Sequence, residues 1–574
     1  MTTFAAAEDH LPRVPLPTLQ ESCDRFLEWC APLLTPAELA ATEAEVAAFA
    51  AGPGPLLHKA LAAYDAAPGV HSWLDTFWPY RYLGRRDRIA LNANFFFLFQ
   101  DTGEEQIARA AGLIAGALAY KARVDDGSLE PVVLRGQPQT MVQNRYLFGT
   151  TRIPGLERDS VRVAPGRHIV VFHGGEMFRM EVLAEDGTPY DLASLAAGLR
   201  VVRAGRGGES VGSLTSMARA EWAAVREELL GHSAAAVEDV ETALFCVCLE
   251  DFAPAGVQEA CDELLYGDRG NRWFDKAVSF VIFADGRAGI NIEHCELDGT
   301  TILAFTDALL SAEPPSPPSG GVSREVAVAP VSFQVDEGLR AKVRAAAADF
   351  AAYGAATATR TVAFADFGAE DAKALGMSPD AFVQLAYQLA HRRAKGLVGA
   401  TYESIATRQF RHGRTEAMRV VTPEMVAFVD AMMDAGAAAG VRREAARAAA
   451  AAHVRRAKEC QAGDAPEQHL WELEMIQRRR GPELGVDEQP SLFRSPGWTV
   501  MRDDYLSTSS APSERIQYFG FGSTSSRCIG VAYVLLPERF HVYLSTPQAV
   551  AGGMTAFAEC LRDAVGELRE LLVA

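Results

Sequence analysis

Ala277-Val278-Ser279-Phe280-Val281-Ile282-Phe283 and Ala288-Gly289-Ile290-Asn291-Ile292 flank Ala284-Asp285-Gly286-Arg287, and the chain runs on through Glu293-His294-Cys295-Glu296-Leu297-Asp298-Gly299. Asp-Gly between two β-rich runs is a hairpin signal, because glycine enters the left-handed backbone region without strain. The second strand then delivers His294 directly. An imidazole with an ordinary pKa near 6.5 can take a proton from an alcohol or thiol as it attacks a thioester. Asp298 follows four residues on, and Gly299 permits a sharp turn. Two roles are open for the aspartate: contact with His294, or a salt bridge that holds the loop, which short-range carboxylates often make. Alone, His-x-x-x-Asp-Gly also suits a hydrogen-bonded loop histidine with no chemistry.

Strands and helices alternate on both sides of this stretch, so the class is α/β (α+β). Cys246 and Cys248 fall in an apolar run that reads as strand core, and further strands are expected at 530–536 and 540–544. Ser378-Pro379-Asp380 precedes apolar positions at helical spacing (Phe382, Val383, Leu385, Ala386, Leu389), as for a capped amphipathic helix after a short helix at 370–375. The Ala/Arg segment 435–457 is helical by propensity, and the C-terminus is helical from about Met554. A Pro/Gly-rich linker at 311–321 divides the chain. Two domains are expected: 88–325, carrying His294, and 326–574, with a helical segment 1–87 packed on it.

With 574 residues and 49% hydrophobic content the chain can bury more than one core. A net charge of −19 argues against nucleic-acid and anionic-lipid partners, so an anionic ligand needs a local basic pocket. No basic leader or long apolar span is present, which predicts a cytoplasmic protein off the membrane. The nine cysteines lack metal-site spacing and read as reduced thiols.

Asn271-Arg272-Trp273-Phe274-Asp275-Lys276 together with the run to Gly299 resembles the catalytic signature of the carnitine/choline acyltransferases. Other landmarks follow in that family's order: Leu16-Pro17-Thr18, Arg152-Ile153-Pro154-Gly155, Leu214-Thr215-Ser216 before Trp222, Ser378-Pro379-Asp380, Thr401-Tyr402-Glu403-Ser404, Gly413-Arg414-Thr415-Glu416 and Ser507-Thr508-Ser509. The resemblance implies two similarly folded domains, each a mixed sheet with helices, and an active-site tunnel at their interface. It implies His294 as general base, with Asp298 beside it, and Ser509 as oxyanion donor. Lys373, Asp380 and Ser507 match donor-binding positions; Tyr402, Ser404, Thr415, Gln468 and Phe519 match the acceptor and acyl pockets. Lys373 as a surface helix residue, Ser509 as a turn serine and Phe519 as strand core are the plain alternatives.

The departures are specific. Carnitine enzymes carry an arginine where this chain has Gln468 before His469, and Ala417 replaces their threonine, so carnitine is not the expected acceptor. The choline version of the Thr415–Ala417 stretch is not matched either. Of two lysines that meet the CoA 3′-phosphate, only Lys373 is present, the other being Ala369. Phe519 stands where a bulky residue restricts the acyl group to short chains, unless neighbouring Gly520 opens space. The expected activity is transfer of a short acyl group from a pantetheine thioester, acyl-CoA first, to a hydroxyl of a small-molecule alcohol. No metal or bound cofactor is needed, and a monomer is expected. An acyl-phosphopantetheine arm on an acyl carrier protein is the alternative donor, and a non-catalytic acyl-CoA binding protein the reading from another class.

Overall fold

The computed structural model describes residues 7–573 except 135, 206, 209, 268 and 312–324, so all of the predicted linker but Ser311 lies outside the described residues. The hairpin around Asp285-Gly286 forms as a tight three-residue turn. Phe283 and Arg287 close it (N to O, 2.9 Å), and Asp285 Oδ1 accepts from the Arg287 amide. Gly286 sits at φ +88°, and a Cβ there would meet the Glu104 carbonyl, so the turn requires glycine twice over.

That hairpin belongs to an eight-stranded sheet. Its spatial order is Val328–Pro330, Glu176–Glu181, His168–His173, Cys246–Leu249, Val278–Ile282, Ala288–Glu293, Asn94–Phe99 and Ile516–Phe521. Cys246–Leu249 and Val278–Ile282 are parallel to their inner neighbours and buried along their whole length, as strands covered on both faces must be. A six-stranded sheet follows the same plan: Thr415–Arg419, Thr401–Ala406, Leu506–Ser510, Ile529–Leu535, Phe540–Pro547, Thr357–Phe364. In both, an antiparallel outer pair leads to two parallel steps and then two antiparallel steps, and the first strand of each body closes against its last. The chain has folded the same six-stranded pattern twice.

Two cores match the two sheets. The first also takes in Leu339, Val343, Ala346 and Phe350 of the helix Glu337–Ala355, and Ile516, Tyr518 and Phe519 of the outlying strand. The sequence reading placed all of these in the second half. They sit in the first because Val328–Pro330 pairs with the sheet edge at 176–181 and the helix buries its apolar stripe behind it. The second core holds Phe26, Trp29, Phe49, Leu57 and Phe77 from the N-terminal helices, and Trp73 from the turn before the last of them.

The helix Pro379–Lys395 starts with proline at its first position, but Ser378 makes no side-chain cap. Its residues Ala381–His391 are buried on every side rather than on one stripe, because the C-terminal helix Ala551–Val573 and the helix Ala439–Gln461 cover what the sheet leaves open. The expected 435–457 helix is this second one, split by a break from Pro423–Met433. No helix of the described residues is long and apolar enough to cross a membrane.

Candidate active site

Where the strand Ala288–Glu293 ends, the chain folds back and His294 Nδ1 lies 2.6 Å from the Leu297 carbonyl oxygen. A carbonyl only accepts, so Nδ1 carries the proton and the neutral ring keeps its lone pair on Nε2. The Tyr82 hydroxyl donates to Nε2 from 3.3 Å, and the Phe95 ring stands edge-on at 5.1 Å. Burial lowers the imidazole pKa below its ordinary value, so the ring is a free base at neutral pH. Surrounding protein nonetheless leaves 28% of the side chain open, enough to meet a substrate.

Asp298 lies 3.8 Å from Nδ1, but its stronger partners are elsewhere. Arg414 grips it through Nε and Nη2 at 3.0 and 2.7 Å, and Gln143 Nε2 donates at 2.7 Å. Burial alone would raise this carboxyl; the Arg414 guanidinium more than offsets it and holds the pKa down at about 2. Arg414 also donates to the Cys295 carbonyl and stacks over Trp78 at 4.7 Å. It comes from the second body and clamps the histidine loop of the first. Sequence reasoning quoted Arg414 inside a landmark without giving it a role; the charge pattern of one acid and one arginine in two landmarks was the available signal.

Glu293, just before the base, is held by Arg152 at 2.9 Å, and the same guanidinium binds Asp159 and the Tyr82 carbonyl. Arg219 bridges Asp159 to Asp275, whose other oxygen accepts from Trp222. Lys276 donates to Thr151 and to the Val240 and Glu241 carbonyls, its pKa lowered by burial to about 8. Arg152, Trp222 and Asp275 from three of the landmarks thus share one buried polar network behind His294. Half-satisfied, such a network would be costlier than an apolar core.

The second sheet supplies the opposite side. Glu403 binds His453 of the helix Ala439–Gln461, and Thr508 accepts from Gln384 of the helix Pro379–Lys395, so these two point under the sheet. By alternation Tyr402, Ser404, Ser507 and Ser509 point the other way, with Thr415 in register on the neighbouring strand. On that face Ala532, paired with Ser509, belongs to the first core along with Val534 and Tyr543. The face therefore turns toward the body that carries His294. Tyr402 and Ser404 remain partly open between buried neighbours. Ser509 makes no side-chain hydrogen bond to any described residue, His294 included.

Gln468 is buried and donates to the Thr415 carbonyl at 3.1 Å. Phe519 pairs with Phe97 across the sheet and packs edge-on to Phe95, which itself touches His294. Gly520 opens no space: a Cβ there would lie 2.3 Å from the Phe96 ring and 2.6 Å from Tyr543.

On the donor side Lys373 is exposed on the helix Ala369–Ala374 and paired with Glu370 at 2.7 Å. Asp380 accepts from the Tyr533 hydroxyl and lies 3.8 Å from His453 Nε2, which is 2.9 Å from Glu403. Asp380, Glu403 and His453 bring ligand atoms within 4.8 Å of one another, the spacing a metal ion could use. Burial and the Asp380 charge raise Glu403 to about 8, and its hydrogen bond to His453 accounts for the cluster without an ion. Ser507 lies on the other face from these groups, so the structure does not gather the three donor residues into one contact set.

The family described as Choline/Carnitine o-acyltransferase matches residues 14–563. The mitochondrial carnitine O-palmitoyltransferase 2 of Mus musculus is 29% identical over 92% of this chain and 87% of its own length. Carnitine O-acetyltransferase of Rattus norvegicus is 28% identical over 99% of this chain and 94% of its own. Among solved structures, the wax ester synthase/diacylglycerol acyltransferase from Marinobacter aquaeolei VT8 has 10% identity and a TM-score of 0.33, covering 87% of this chain and 99% of that one. An epimerization domain of tyrocidine synthetase B has 10% identity and a TM-score of 0.37, with 87% and 97% coverage.

Proposed function

This chain belongs to the choline/carnitine O-acyltransferase family, an acyltransferase family that moves acyl groups from acyl-CoA to a hydroxyl, and from that premise we propose that His294 is its general base and Ser509 its oxyanion donor. The observation that carries the reading is the Nδ1 contact to the Leu297 carbonyl, which aims the unprotonated Nε2 away from the loop. An acceptor hydroxyl replacing the Tyr82 hydroxyl at Nε2 gives up its proton there as its oxygen attacks the thioester carbonyl. The carbonyl π electrons move onto oxygen, and the Ser509 hydroxyl meets that charge. Collapse of the intermediate breaks the C–S bond, and the departing thiolate takes the proton back from Nε2. The entropy cost of bringing two reactants together is met on binding, because both substrates are held before attack.

Asp298 and Arg414 hold the loop so that the Leu297 carbonyl stays beneath Nδ1. Phe519, packed against Phe95 beside the base, limits the acyl group to short chains. Gln468 in place of an arginine makes carnitine a poor acceptor. Lys373 and Asp380 serve the donor. Because Ala369 leaves Lys373 without a second cation, a carrier-protein donor remains the second reading, separable by mass spectrometry of a loaded carrier protein.

The test is thiol release from acetyl-CoA with a panel of alcohols. His294→Ala should lose at least about 100-fold; retention of more than a tenth of the rate sinks the assignment. Phe519→Ala should shift the preferred donor from acetyl-CoA toward octanoyl-CoA, and an unchanged preference rejects Phe519 as the length limit.

A further inference from the structure

Glu8 precedes every strand of both sheets, yet it is 8% exposed and its carboxylate receives three hydrogen bonds. Thr140 donates from Oγ1 at 2.6 Å and Met141 from its amide at 3.2 Å, both in the first body, while the His412 amide of the second body donates at 3.1 Å. Oε1 takes Thr140 and His412 together, so a single oxygen touches both bodies. The chain around Glu8 is tied to the same turn of the second body: the Arg411 amide donates to the Pro12 carbonyl at 2.7 Å, and Arg411 Nη2 reaches Asp9 at 2.7 Å. His412 has φ +54°, a left-handed backbone that a residue with a Cβ disfavours, and the bond from its amide to Glu8 is a restraint that holds it there.

The two segments gathered by Glu8 are the two that grip Asp298. Three residues past Thr140, Gln143 donates to Asp298 Oδ2 at 2.7 Å and accepts from the Asp298 amide at 2.9 Å and from Thr301 at 2.8 Å. Two residues past His412, Arg414 holds both Asp298 oxygens. The turn that carries Arg414 is tight. Its ends meet from the Thr407 amide to the Arg414 carbonyl at 2.9 Å, and a Cβ on Gly413 would lie 2.0 Å from the Thr407 carbonyl oxygen. A displacement at His412 is therefore passed on to Arg414 rather than absorbed. Arg408 joins the same seam, donating to the Thr140 carbonyl at 3.2 and 2.7 Å and accepting from the Thr140 amide at 2.6 Å.

We propose that Glu8 is a positioning residue for the reaction: it fixes the spacing between Gln143 and Arg414, and through their hold on Asp298 it keeps the Leu297 carbonyl under His294 Nδ1. This role rests on the acyl-transfer reading above. Three donors converge on Glu8, which a carboxylate accepts in full, whereas a carboxamide turns an N–H toward one of them. Glu8 touches none of the groups assigned to substrates, so its loss is felt in the reaction step and not in binding. A carboxylate that only tethered the N-terminal segment would add stability and leave kcat alone.

The experiment measures thiol release from acetyl-CoA with the best alcohol of the panel, using full-length variants. A misplacement of about 1 Å far from the chemistry costs up to about 100-fold, and Glu8 acts through two links, so Glu8→Ala should lower kcat about 10-fold and leave both KM values within about twofold. Glu8→Gln keeps the Oε1 contacts but faces the Met141 amide with an N–H, and should restore kcat to about a third of the wild-type value. A double-mutant cycle separates positioning from tethering: on an Asp298→Asn background, Glu8→Ala should lower kcat by less than about twofold more, because the clamp it serves is already gone. An undiminished kcat in Glu8→Ala, a loss carried by KM, or the full 10-fold loss on the Asp298→Asn background overturns the proposal. If the Ala variant does not fold, Glu8→Gln decides, and a wild-type kcat there overturns it. No release by the wild type with any alcohol would remove the acyl-transfer reading and this role with it, whereas equal release by the wild type and Glu8→Ala removes the role of Glu8 alone.

Discussion

The two bodies share a strand plan, yet only one places a histidine where the strand after its parallel core ends. In the first, the strand Ala288–Glu293 ends in His294 and leads into the helix Gly299–Leu309. In the second, the equivalent strand Phe540–Pro547 ends in Pro547 and Gln548 and leads into the helix Ala551–Val573. Neither residue there can accept a proton at neutral pH. On the proposed assignment the first body supplies the base, while the second turns a sheet face toward it and lends Arg414, which grips Asp298 of the histidine loop. A duplicated fold specialises where the strand ends, since that is where side chains are freed from sheet packing.

The sharpest way to test this division is at the base. His294→Ala should abolish thiol release by about 100- to 10,000-fold, and adding Gln548→His to that variant should restore none of it, because the second strand end has no counterpart of Asp298 and Arg414. Recovery of activity would break the comparison. Next in size is the clamp. Arg414→Met leaves Asp298 buried without its counter-ion and should cost about 3–5 kcal/mol in urea unfolding, whereas pairing it with Asp298→Asn should recover part of the loss. Acid acts on the same pair. Asp298 is held at about 2 when folded and rises to the ordinary carboxylate value when unfolded. Its contribution is therefore complete above about pH 4 and drains away as pH falls toward 2, an acid-limb loss that Asp298→Asn should flatten.

A smaller effect is expected where the bodies interlock. Gly520→Ala should cost about 1–3 kcal/mol, read as a lowered thermal midpoint, because its Cβ has only the Phe96 and Tyr543 rings to displace. The smallest is a shift in pH dependence. The acid limb of kcat/KM should fall below the ordinary histidine value, and Asp298→Asn should move it further down, since the Asp298 charge is what raises the His294 pKa. A limb that rises instead would mean that burial is not the main influence on the ring.

Much of this was legible in the chain because it is local. The Asp285-Gly286 hairpin, the strand before His294 and the helix after Ser378-Pro379 follow from turn chemistry and spacing. The order of landmarks pointed to the family. What stayed hidden is set by distant partners. No spacing reveals that 516–521 leaves its neighbours to join the other sheet, that Arg414 reaches Asp298 across 116 residues, or that Arg81 lies beside Gln468. The likeness of the two bodies came only through the family resemblance, because hydrophobic strands of matching topology need no matching letters.

The strand Ile516–Phe521 carries one more consequence, for the birth of the protein. It covers the flank of Asn94–Phe99, whose sequence Asn-Phe-Phe-Phe-Leu-Phe is buried throughout. A ribosome makes the first body long before it makes residue 516, so for most of synthesis that phenylalanine-rich edge stays unpaired, the template on which chains stick to one another. Nascent chains of this protein should therefore depend on chaperones until their last tenth emerges, and fragments that stop short of it should be recovered as aggregates.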